Sequence, residues 1–485
     1  MKKTVLFLIL NFGFVTANAQ TLIGNSINGS FGEELSFDIA IKDNGDRLIF
    51  GSPNYPNNNN GIVKEYSRGN NNWYLTNVID NDPVEASRFG TSLSISNNGN
   101  RVAVGAPFSG FFQPFGIGKV YVYDYNVATS EWQQVGNVIE GINTTDLFGG
   151  KVSLSADGNR LAISGYLADV NGITNSGLVR VFQFNSSNSQ WEQMGNDFYD
   201  NESGKDFGYR SCVLSKDGST LVIGIPGKSS NQGETIVYRW YESGSFWGQV
   251  GATLMGDNTT ERFGSSVVVN HDGTLLTIGS VSASVNNVNN VGRVRTFRLV
   301  SGSWVEFSTS LYGENESNYF GGNLAMSDDG TVLAVAAVGW ESSQGRVYVY
   351  SLVGNEWVQK TSFNGTSHSR LGDALSLTSD GNRIALGSKP NGGYRVMLYD
   401  IANVLNANQF VTENTKIYPN PAKENISVSL NSSLEFINSR IYNAMGQLVT
   451  ESNSKVINVQ HLSKGLYFIE VQTNKGKGVQ KFIKE

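Results

Sequence analysis

The chain has 485 residues, of which 16% are charged, and its formal net charge is −6. This acidic balance, with no Lys/Arg-rich run, argues against a nucleic-acid partner. The single cysteine, Cys212, excludes an intrachain disulfide, and we expect it to be a small buried hydrophobe. With 55 glycines and no long helical periodicity, the composition is typical of an all-β, turn-rich protein with room for more than one domain.

Residues 1–19 have the features of a secretory signal peptide. A basic start precedes an apolar run from Thr4 to Val15 that is too short to be a permanent membrane anchor. An Ala-Asn-Ala sequence follows and places the predicted cleavage between Ala19 and Gln20. No other stretch is apolar enough to cross a membrane, so we expect an exported protein without a transmembrane segment.

One four-strand pattern recurs through residues 20–400. In its clearest copy, Leu93 and Ile95 alternate with polar residues, Asn98-Gly99 forms a hairpin turn, and Val102 begins the next alternating strand. Third and fourth strands follow after a variable loop. The hairpin glycine recurs seven times, at Gly45, Gly99, Gly158, Gly218, Gly273, Gly330 and Gly381. Six copies also have a tryptophan at the start of the fourth strand, namely Trp73, Trp132, Trp191, Trp247, Trp304 and Trp357.

Seven self-similar units, each unable to bury both faces alone, predict a seven-bladed β-propeller. Residues 21–29 resemble the fourth strand of later copies, whereas the seventh copy ends after its third strand at Tyr399. We therefore expect the N-terminal strand to complete the last blade and close the ring. The fourth copy has one extra residue between Phe207-Gly208 and Gly218, which indicates a β-bulge.

Loop lengths distinguish the two faces of the predicted ring. The turns between first and second strands are short and uniform, whereas the loops between second and third strands vary and share a face with the blade connections. Recognition usually resides on such variable loops. One of these loops is rich in phenylalanine and is interpreted either as a binding anchor or as a plug over the channel mouth. The candidate ligand-binding residues are Phe111, Phe112 and Phe115, with Tyr166 and Trp340 as companions.

No catalytic motif or metal-binding arrangement is evident. The three histidines, His271, His368 and His461, fall in separate segments and are not expected to converge on a metal. Acidic residues gather in the blade connections, and a pair of them would suit acid–base hydrolysis of a sugar if held about 5–10 Å apart. The simpler interpretation is that exposed connections carry polar residues for solubility. These residues are Asp80, Asp82, Glu85, Asp146, Glu202, Asp206, Asp257, Glu261, Glu314 and Glu316.

After a linker at residues 401–415, alternating strands predict a small β-sandwich over residues 416–485. This segment has nine Lys and Arg against five Glu, a net charge of +4. It resembles the type A C-terminal sorting domain of the type IX secretion system of Bacteroidetes. The resemblance rests on four segments, residues 418–421, 441–447, 462–467 and 481–484. It includes Tyr418, Pro419, Asn420, Pro421, Gly446, Gly465, Tyr467, Lys481 and Lys484. It implies passage through the periplasm, export by the type IX machinery, and usually removal of this domain.

The repeats resemble the FG-GAP propeller of integrin α-subunits. Five copies have Phe-Gly at the first position of the motif, and Gly105, Ala106 and Pro107 match the second. The seventh copy has Leu371-Gly372 instead. The calcium loops of that family need several carboxylates, whereas turns such as that at Asp157 have one, so no calcium is expected there.

These observations favour a secreted or cell-surface binding or adhesion propeller for a protein or glycan ligand, without catalysis or cofactor. A polysaccharide hydrolase or lyase that uses carboxylates on the variable face is the first alternative. A structural surface component is the second.

Overall fold

In a computed structural model, the protein is built almost entirely from antiparallel β-strands. The structure describes residues 20–29, 38–54, 60–80, 87–109, 116–390, 393–405, 415–431, 434–444, 446–474 and 476–485. Residues Leu22–Asp400 form one compact unit, and Ile401–Glu485 belong to a second. The described helices are short: α1 is Lys228–Asn231, α2 is Trp340–Ser343 and α3 is Ala402–Leu405. No described helix has the length and hydropathy needed to cross a membrane.

The described part of the first unit contains seven antiparallel sheets, numbered 1 to 7 along the chain. In sheets 1 to 6 the four main strands pair in sequence order. The first strands are β3 (Ile39–Ile41), β7 (Ser92–Ile95), β12 (Lys151–Leu154), β16 (Cys212–Leu214), β21 (Phe263–Val269), β26 (Phe320–Met326) and β30 (Leu375–Leu377). The second strands are β4 (Arg47–Ser52), β8 (Arg101–Ala106), β13 (Arg160–Gly165), β17 (Thr220–Ile225), β22 (Leu275–Ser280), β27 (Val332–Ala337) and β31 (Arg383–Ser388).

The third strands are β5 (Ile62–Gly69), β9 (Lys119–Asn126), β14 (Leu178–Asn185), β18 (Glu234–Tyr241), β23 (Arg293–Val300), β28 (Arg346–Val353) and β32 (Arg395–Asp400). The fourth strands of sheets 1 to 6 are β6 (Asn72–Asp80), β10 (Glu131–Gln134), β15 (Gln190–Gln193), β19 (Phe246–Gln249), β24 (Ser303–Glu306) and β29 (Glu356–Asn364). The two-residue strands β11 (Ile139–Glu140), β20 (Leu254–Met255) and β25 (Leu311–Tyr312) add to sheets 2, 4 and 5.

The N-terminal segment supplies the outer strand of sheet 7. Strands β1 (Thr21–Leu22) and β2 (Ile27–Asn28) both pair with β32. The backbone N–H of Ile23 donates to the carbonyl of Leu398 at 2.8 Å, and that of Gly29 donates to Tyr394 at 2.8 Å. Ile23 and Ile27 are buried in the same core cluster as residues of sheets 1 and 7. Sheet 7 therefore combines the N-terminal strands with three strands from more than 340 residues later in the chain.

The seven first strands contact one another in order, and the seventh contacts the first. Together they line a central cavity of about 220 Å³. At one end, hydrogen bonds link the seven first-to-second-strand turns in a circle. Six of these bonds run from the backbone N–H of the first residue to the backbone carbonyl of the second. The pairs are Asp43 to Asn97, Asn97 to Ala156, Ala156 to Lys216, Asp217 to His271, His271 to Asp328, and Asp328 to Ser379. The N–H of Ser379 then donates to the carboxylate of Asp43 at 3.2 Å.

The Phe-Gly pairs join neighbouring sheets. Phe148 is fully buried between sheets 2 and 3, where it packs with Val120 and Val152. Behind it, a Cβ atom on Gly105 would lie 2.0 Å from the carbonyl oxygen of Gly149, so only glycine allows this approach. Gly51 and Gly90, Gly224 and Gly264, and Gly279 and Gly321 approach in the same way. The recurring Phe-Gly and the second-strand glycine are therefore two sides of one contact between sheets.

The blade tryptophans are also packing residues. Trp191 is buried, and its indole N–H donates to the carbonyl of Val135 in the preceding sheet's outer segment at 3.3 Å. Trp73, Trp247 and Trp304 make equivalent bonds to the carbonyls of Ile23, Met194 and Val250. Trp132 donates to Glu65 and Trp357 to Thr296. Each indole thus connects its own sheet to an earlier part of the chain.

Cys212 is fully buried in β16, and this burial raises the pKa of its thiol to about 12. It packs with Leu214, Leu221 and Ile223 in the core of sheet 4. The prediction that Cys212 is a small buried hydrophobe is confirmed.

The second unit has two antiparallel sheets. Strands β33 (Thr415–Tyr418), β34 (Asn425–Leu430) and β37 (Val456–Asn458) form the first. The second contains, in spatial order, β36 (Leu448–Ser452), β35 (Phe436–Asn443), β38 (Gly465–Thr473) and β39 (Gly476–Lys484). Ile426 and Ile457 from the first sheet share one core cluster with Ile441, Ile469 and Phe482 from the second.

Candidate binding face at the channel mouth

The end of the first unit that carries the blade connections has a repeated backbone feature. The residue before each described Phe-Gly or Leu-Gly pair has a left-handed conformation, which costs about 1 kcal/mol or more for a residue other than glycine. We call these positions the rim residues: Arg88, Leu147, Asp206, Arg262, Tyr319 and Arg370, with φ of 52°, 51°, 59°, 57°, 51° and 46°. This turn lets the side chain of the next residue, the Phe or Leu of the pair, enter the core between two sheets. It also places six different side chains at equivalent positions around this end.

Tyr166 lies in an aromatic and basic cluster at this end. Its ring centroid is 4.6 Å from that of Tyr209, and the guanidinium carbon of Arg210 lies 5.6 Å from the Tyr209 ring. Burial raises the pKa of Tyr166, as does Tyr209, whereas the positive charges of Arg210 and Arg88 oppose the rise. Arg210 also lines the central cavity. Tyr166, which the sequence analysis proposed as a ligand-binding residue, therefore lies beside the channel mouth.

Rim residues extend this cluster in both directions. The guanidinium carbon of Arg88 lies 5.2 Å from the ring of Phe108, the first phenylalanine of the aromatic loop. On the other side, Arg262 donates to Asp206 at 2.8 Å. The cluster around Tyr166 thus contains three arginines and one aspartate, and positive charge predominates. We use the name mouth cluster for Arg88, Phe108, Tyr166, Asp206, Tyr209, Arg210 and Arg262.

The extra residue of the fourth copy forms part of this cluster. Both Gly208 and Ser211 bond to the backbone of Gly224, so the additional residue lies between them. Arg210 occupies this segment and has φ 57°. The irregularity predicted in this first strand is therefore where a basic side chain enters the cavity lining.

Phe111, Phe112 and Phe115 lie outside the described residues. The loop that carries them is anchored by a bond from Gly118 N–H to the Ser109 carbonyl at 3.0 Å. Gly177 bonds to Ala168 and Gly292 to Ala283 in the same way, at 3.1 and 3.0 Å. Three of the long loops therefore close with the same backbone bond although their sequences differ.

Trp340 belongs to a different cluster. Its indole N–H donates to Glu314 at 3.2 Å, and the guanidinium carbon of Arg346 lies 4.9 Å from its ring. Arg346 in turn bonds to both oxygens of Glu314 at 2.9 and 3.0 Å. Trp340 is half-buried and held by these contacts, which do not include Tyr166.

Several connection carboxylates have structural partners. Asp146 is fully buried, and its Oδ2 accepts the N–H groups of Ile142 and Asn143 at 3.0 and 2.9 Å. Glu261 accepts the equivalent pair, from Asp257 and Asn258, at 2.9 and 3.1 Å. Asn318 and Ser369 hold the same position in the next two copies. With its side-chain amide turned to satisfy both of its ends, Asn318 accepts two N–H groups at 3.0 Å, and the Ser369 hydroxyl accepts one at 2.9 Å. Because an amide and a hydroxyl fill the same role, the position needs an acceptor and not a charge.

Other acidic side chains of the connections pair with bases. Asp200 accepts from Lys228 at 2.6 Å, Glu202 lies 2.8 Å from the same lysine, and Asp257 pairs with Arg293 and Arg295. Lys228 and Lys205 hold the pKa of Glu202 below its ordinary value. Asp82 and Glu85 lie outside the described residues.

The histidines have separate partners. His271 Nδ1 lies 3.7 Å from Asp328, His368 bonds to Ser367, and His461 bonds to Thr450. Among the described residues, no group of three or more His, Cys, Asp or Glu side chains is arranged to hold a metal ion.

In the second unit, residues of the predicted sorting motif stabilise the terminal strand. Asn420 donates to the carbonyl of Lys481 at 3.1 Å and accepts from the N–H of Ile483 at 3.0 Å. Tyr467 is buried, stacks on Phe482 and donates to the Ser463 carbonyl at 3.0 Å. Gly446 has φ 78° in the turn between β35 and β36. Tyr418 and Lys481 are exposed, whereas Lys484 is buried.

Comparison with known proteins identifies this second unit. Residues 416–485 match the family model described as a secretion system C-terminal sorting domain. This match confirms the predicted sorting domain and implies export by type IX secretion. The comparison with curated proteins gave no match.

Among solved structures, the chain is similar to the β-propeller domain of Cps50 (Swd1) from Myceliophteria thermophila. The two share 12% sequence identity, the match covers 78% of this chain and 99% of that one, and the TM-score is 0.49. At this level of similarity, the interpretation of the first unit depends on the order of its own sheets.

Proposed function

We propose that the chain is a seven-bladed propeller of the FG-GAP type followed by a β-sandwich sorting domain. The circular order of contacts among seven first strands and the N-terminal strands paired in sheet 7 support this architecture. The signal peptide, residues 1–19, and the sorting domain, residues 416–485, are removed during export from a Bacteroidetes cell. The mature propeller is then released or attached to the cell surface.

The proposed function of the mature propeller is to bind an extracellular ligand without catalysis. The mouth cluster is the observation that carries this proposal. It combines aromatic rings and arginines at the end of the molecule where the loops vary, which is a composition enriched at binding sites. By contrast, Asp146 and Glu261 serve as acceptors for backbone N–H groups, as an asparagine and a serine do in other copies. This use of the acids favours binding over hydrolysis.

Positive charge in the mouth cluster favours a ligand with acidic groups. Guanidinium groups bind carboxylates and sulfates by paired hydrogen bonds, and tyrosine rings add apolar contact area. Because the net charge of the whole chain is −6, this local excess of arginine does not follow from composition. An acidic extracellular glycan is the ligand class that we propose, and an acidic protein surface is the alternative.

A glycan array tests the proposal. The mature propeller is applied to uronic-acid, sulfated and neutral glycans, and binding is compared with the variants Arg210→Ala and Tyr166→Ala. Each variant is expected to weaken binding roughly tenfold or more, about 1.4 kcal/mol per tenfold. Tyr74→Ala provides the matched control, because Tyr74 is 51% exposed on the outer strand β6. Equal loss in the control, or hydrolysis of a glycan that is abolished by Glu261→Gln, would contradict this function.

A further inference from the structure

The outer face of the four-stranded sheet in the sorting domain carries an unusual number of exposed apolar side chains. Leu448 is 52% exposed, Leu466 43%, Phe468 37% and Ile483 50%. They come from three of the four strands, β36, β38 and β39. A contiguous exposed apolar surface of this kind often marks an interaction site.

Strand pairing shows that these side chains are neighbours. Tyr442 of β35 pairs with both Leu448 and Phe468, and Phe468 pairs with Lys481. One register step further along the same face, Leu466 pairs with Ile483. Residues that pair across antiparallel strands lie on the same face, with Cβ atoms about 5 Å apart. We call Tyr442, Leu448, Leu466, Phe468, Lys481 and Ile483 the outer patch.

The outer patch lies outside the core cluster of the sorting domain. The inward side chains of the same strands, such as Ile441, Ile469 and Phe482, are fully buried and form the core with the other sheet. The outward positions further along the same face are more polar, although the exposed Val479 pairs there with Glu470. Arg440 bonds to Glu451 at 3.0 Å and Lys477 to Glu470 at 3.1 Å. Among the described residues, the outer face is therefore mainly apolar at one end and mainly polar, with two ion pairs, at the other.

Three of the four segments on which the resemblance to sorting domains rests contribute to this patch. Tyr442 lies in the segment 441–447, Leu466 in 462–467, and Lys481 and Ile483 in 481–484. Inward residues of these segments explain the fold of the domain, but their outward residues make no contribution to its core. A role outside the domain accounts for apolar residues at the outward positions.

We infer that the outer patch is the surface by which a protein of the secretion machinery recognises this chain, and this inference rests on the proposed export by type IX secretion. The match of residues 416–485 to a sorting domain shows that this unit is the part of the chain that such machinery handles. The net charge of the domain is +4, from nine Lys and Arg against five Glu, and Lys481 lies inside the patch. The partner surface is therefore apolar with an acidic border.

Secretion from the native host tests the inference with the full chain. The double variant Leu466→Ser, Phe468→Ser is expected to lower the extracellular yield roughly tenfold or more and to accumulate in the periplasm, as loss of central apolar contacts does at interfaces. Val456→Ser is the matched control, because Val456 is 56% exposed on the other sheet of the same domain. It should be secreted normally. Normal secretion of the double variant, or an equal defect in the control, would overturn the inference.

Two further measurements separate the alternatives. A photo-crosslinking residue at Leu466 should give an adduct with an identified protein of the secretion machinery, whereas adducts only between copies of this chain would show that the patch is a self-association surface. Truncation after Thr415 separates this inference from the proposed export. If the truncated chain is retained while the double variant is secreted, the sorting function stands and the patch is wrong. If both are secreted normally, the proposed export fails as well.

Discussion

The phenylalanine of each Phe-Gly pair acts through the volume that it fills between two sheets. Phe148 is fully buried and packs against both sheets, whereas the seventh copy fills the equivalent position with Leu371, which is 2% exposed to solvent. We expect Phe148→Ala to lower the free energy of unfolding by about 3–5 kcal/mol and Phe148→Leu by about 1 kcal/mol. Urea unfolding measures both. If the leucine variant were as unstable as the alanine variant, a specific requirement for the aromatic ring would replace this volume argument.

The buried Asp146 offers a second test, because Asn318 and Ser369 replace its carboxylate elsewhere in the repeat. Asp146→Asn keeps an acceptor oxygen for the N–H groups of Ile142 and Asn143 and should change the free energy of unfolding by less than about 1 kcal/mol. Asp146→Ala leaves both N–H groups without that acceptor and should cost about 1–3 kcal/mol. Thermal or urea unfolding of the two variants checks the difference. Equal losses would mean that the negative charge itself is required.

At this scale, the sequence was most informative where one residue type recurs for one reason. The spacing of the hairpin glycines and of Trp191 with its counterparts predicted seven repeated units, and Cys212 was predicted to be buried. Tyr209 and Arg210 were not identified as partners of Tyr166. The sequence showed that the fourth copy has an extra residue between Gly208 and Gly218. The direction in which the Arg210 side chain points depends on the left-handed backbone at Arg210, which residue preferences do not predict.

Among the elements, the N-terminal strands complete a sheet that the last copy leaves with an open edge. Deletion of residues 20–29 would expose the hydrogen-bonding groups of β32 and remove Ile23 and Ile27 from their core cluster. We expect the deleted propeller to aggregate or to lose its single cooperative transition, as measured by calorimetry and light scattering. An unchanged melting transition would contradict closure of the ring by this strand.

A pair of point variants separates this strand's packing from the effects of deletion. Ile27→Asp places a carboxylate at a position that is 4% exposed, whereas Leu22→Asp makes the same type of change at a position that is 41% exposed. Only the first is expected to lower the melting temperature by several degrees.

The backbone conformation of the loops between second and third strands could not be predicted from the sequence. Their variable lengths are evident from the sequence, but it does not show that the short segments α1 and α2 each contain two consecutive left-handed residues. Ser229 and Ser230 have φ 51° and 59°, and Glu341 and Ser342 have φ 46° and 56°. Consecutive left-handed residues other than glycine are unfavourable in isolation. Tertiary contacts such as those of Lys228 and Trp340 hold these turns, and such contacts cannot be inferred from local sequence.

At the scale of the whole molecule, the circle of turns depends on one side chain. Six steps of the circle are made by backbone groups, but the step from Ser379 to Asp43 uses the Asp43 carboxylate. Near this end, Asn97 donates to Asp328 at 2.7 Å, and His271 lies beside the same carboxylate. Asp43 therefore stabilises the circle by accepting a hydrogen bond, while it carries its charge close to that of Asp328.

This arrangement predicts a pH dependence of stability. Burial raises the pKa of Asp43, and Asp328 raises it further, whereas the bonds from Ser379 and the charge of Lys216 oppose the rise. The folded state then binds this proton more tightly than the unfolded state. The contribution of Asp43 to stability is therefore most favourable in acid and is lost as the pH rises through its raised pKa.

Asp43→Asn keeps an acceptor for Ser379 without the charge, so we expect its stability relative to the wild type to increase from acid to neutral pH in urea unfolding. Asp43→Ala lacks the acceptor and should be the less stable of the two variants at every pH. A difference between Asp43→Asn and wild type that stays constant with pH would show that this carboxylate does not titrate with folding.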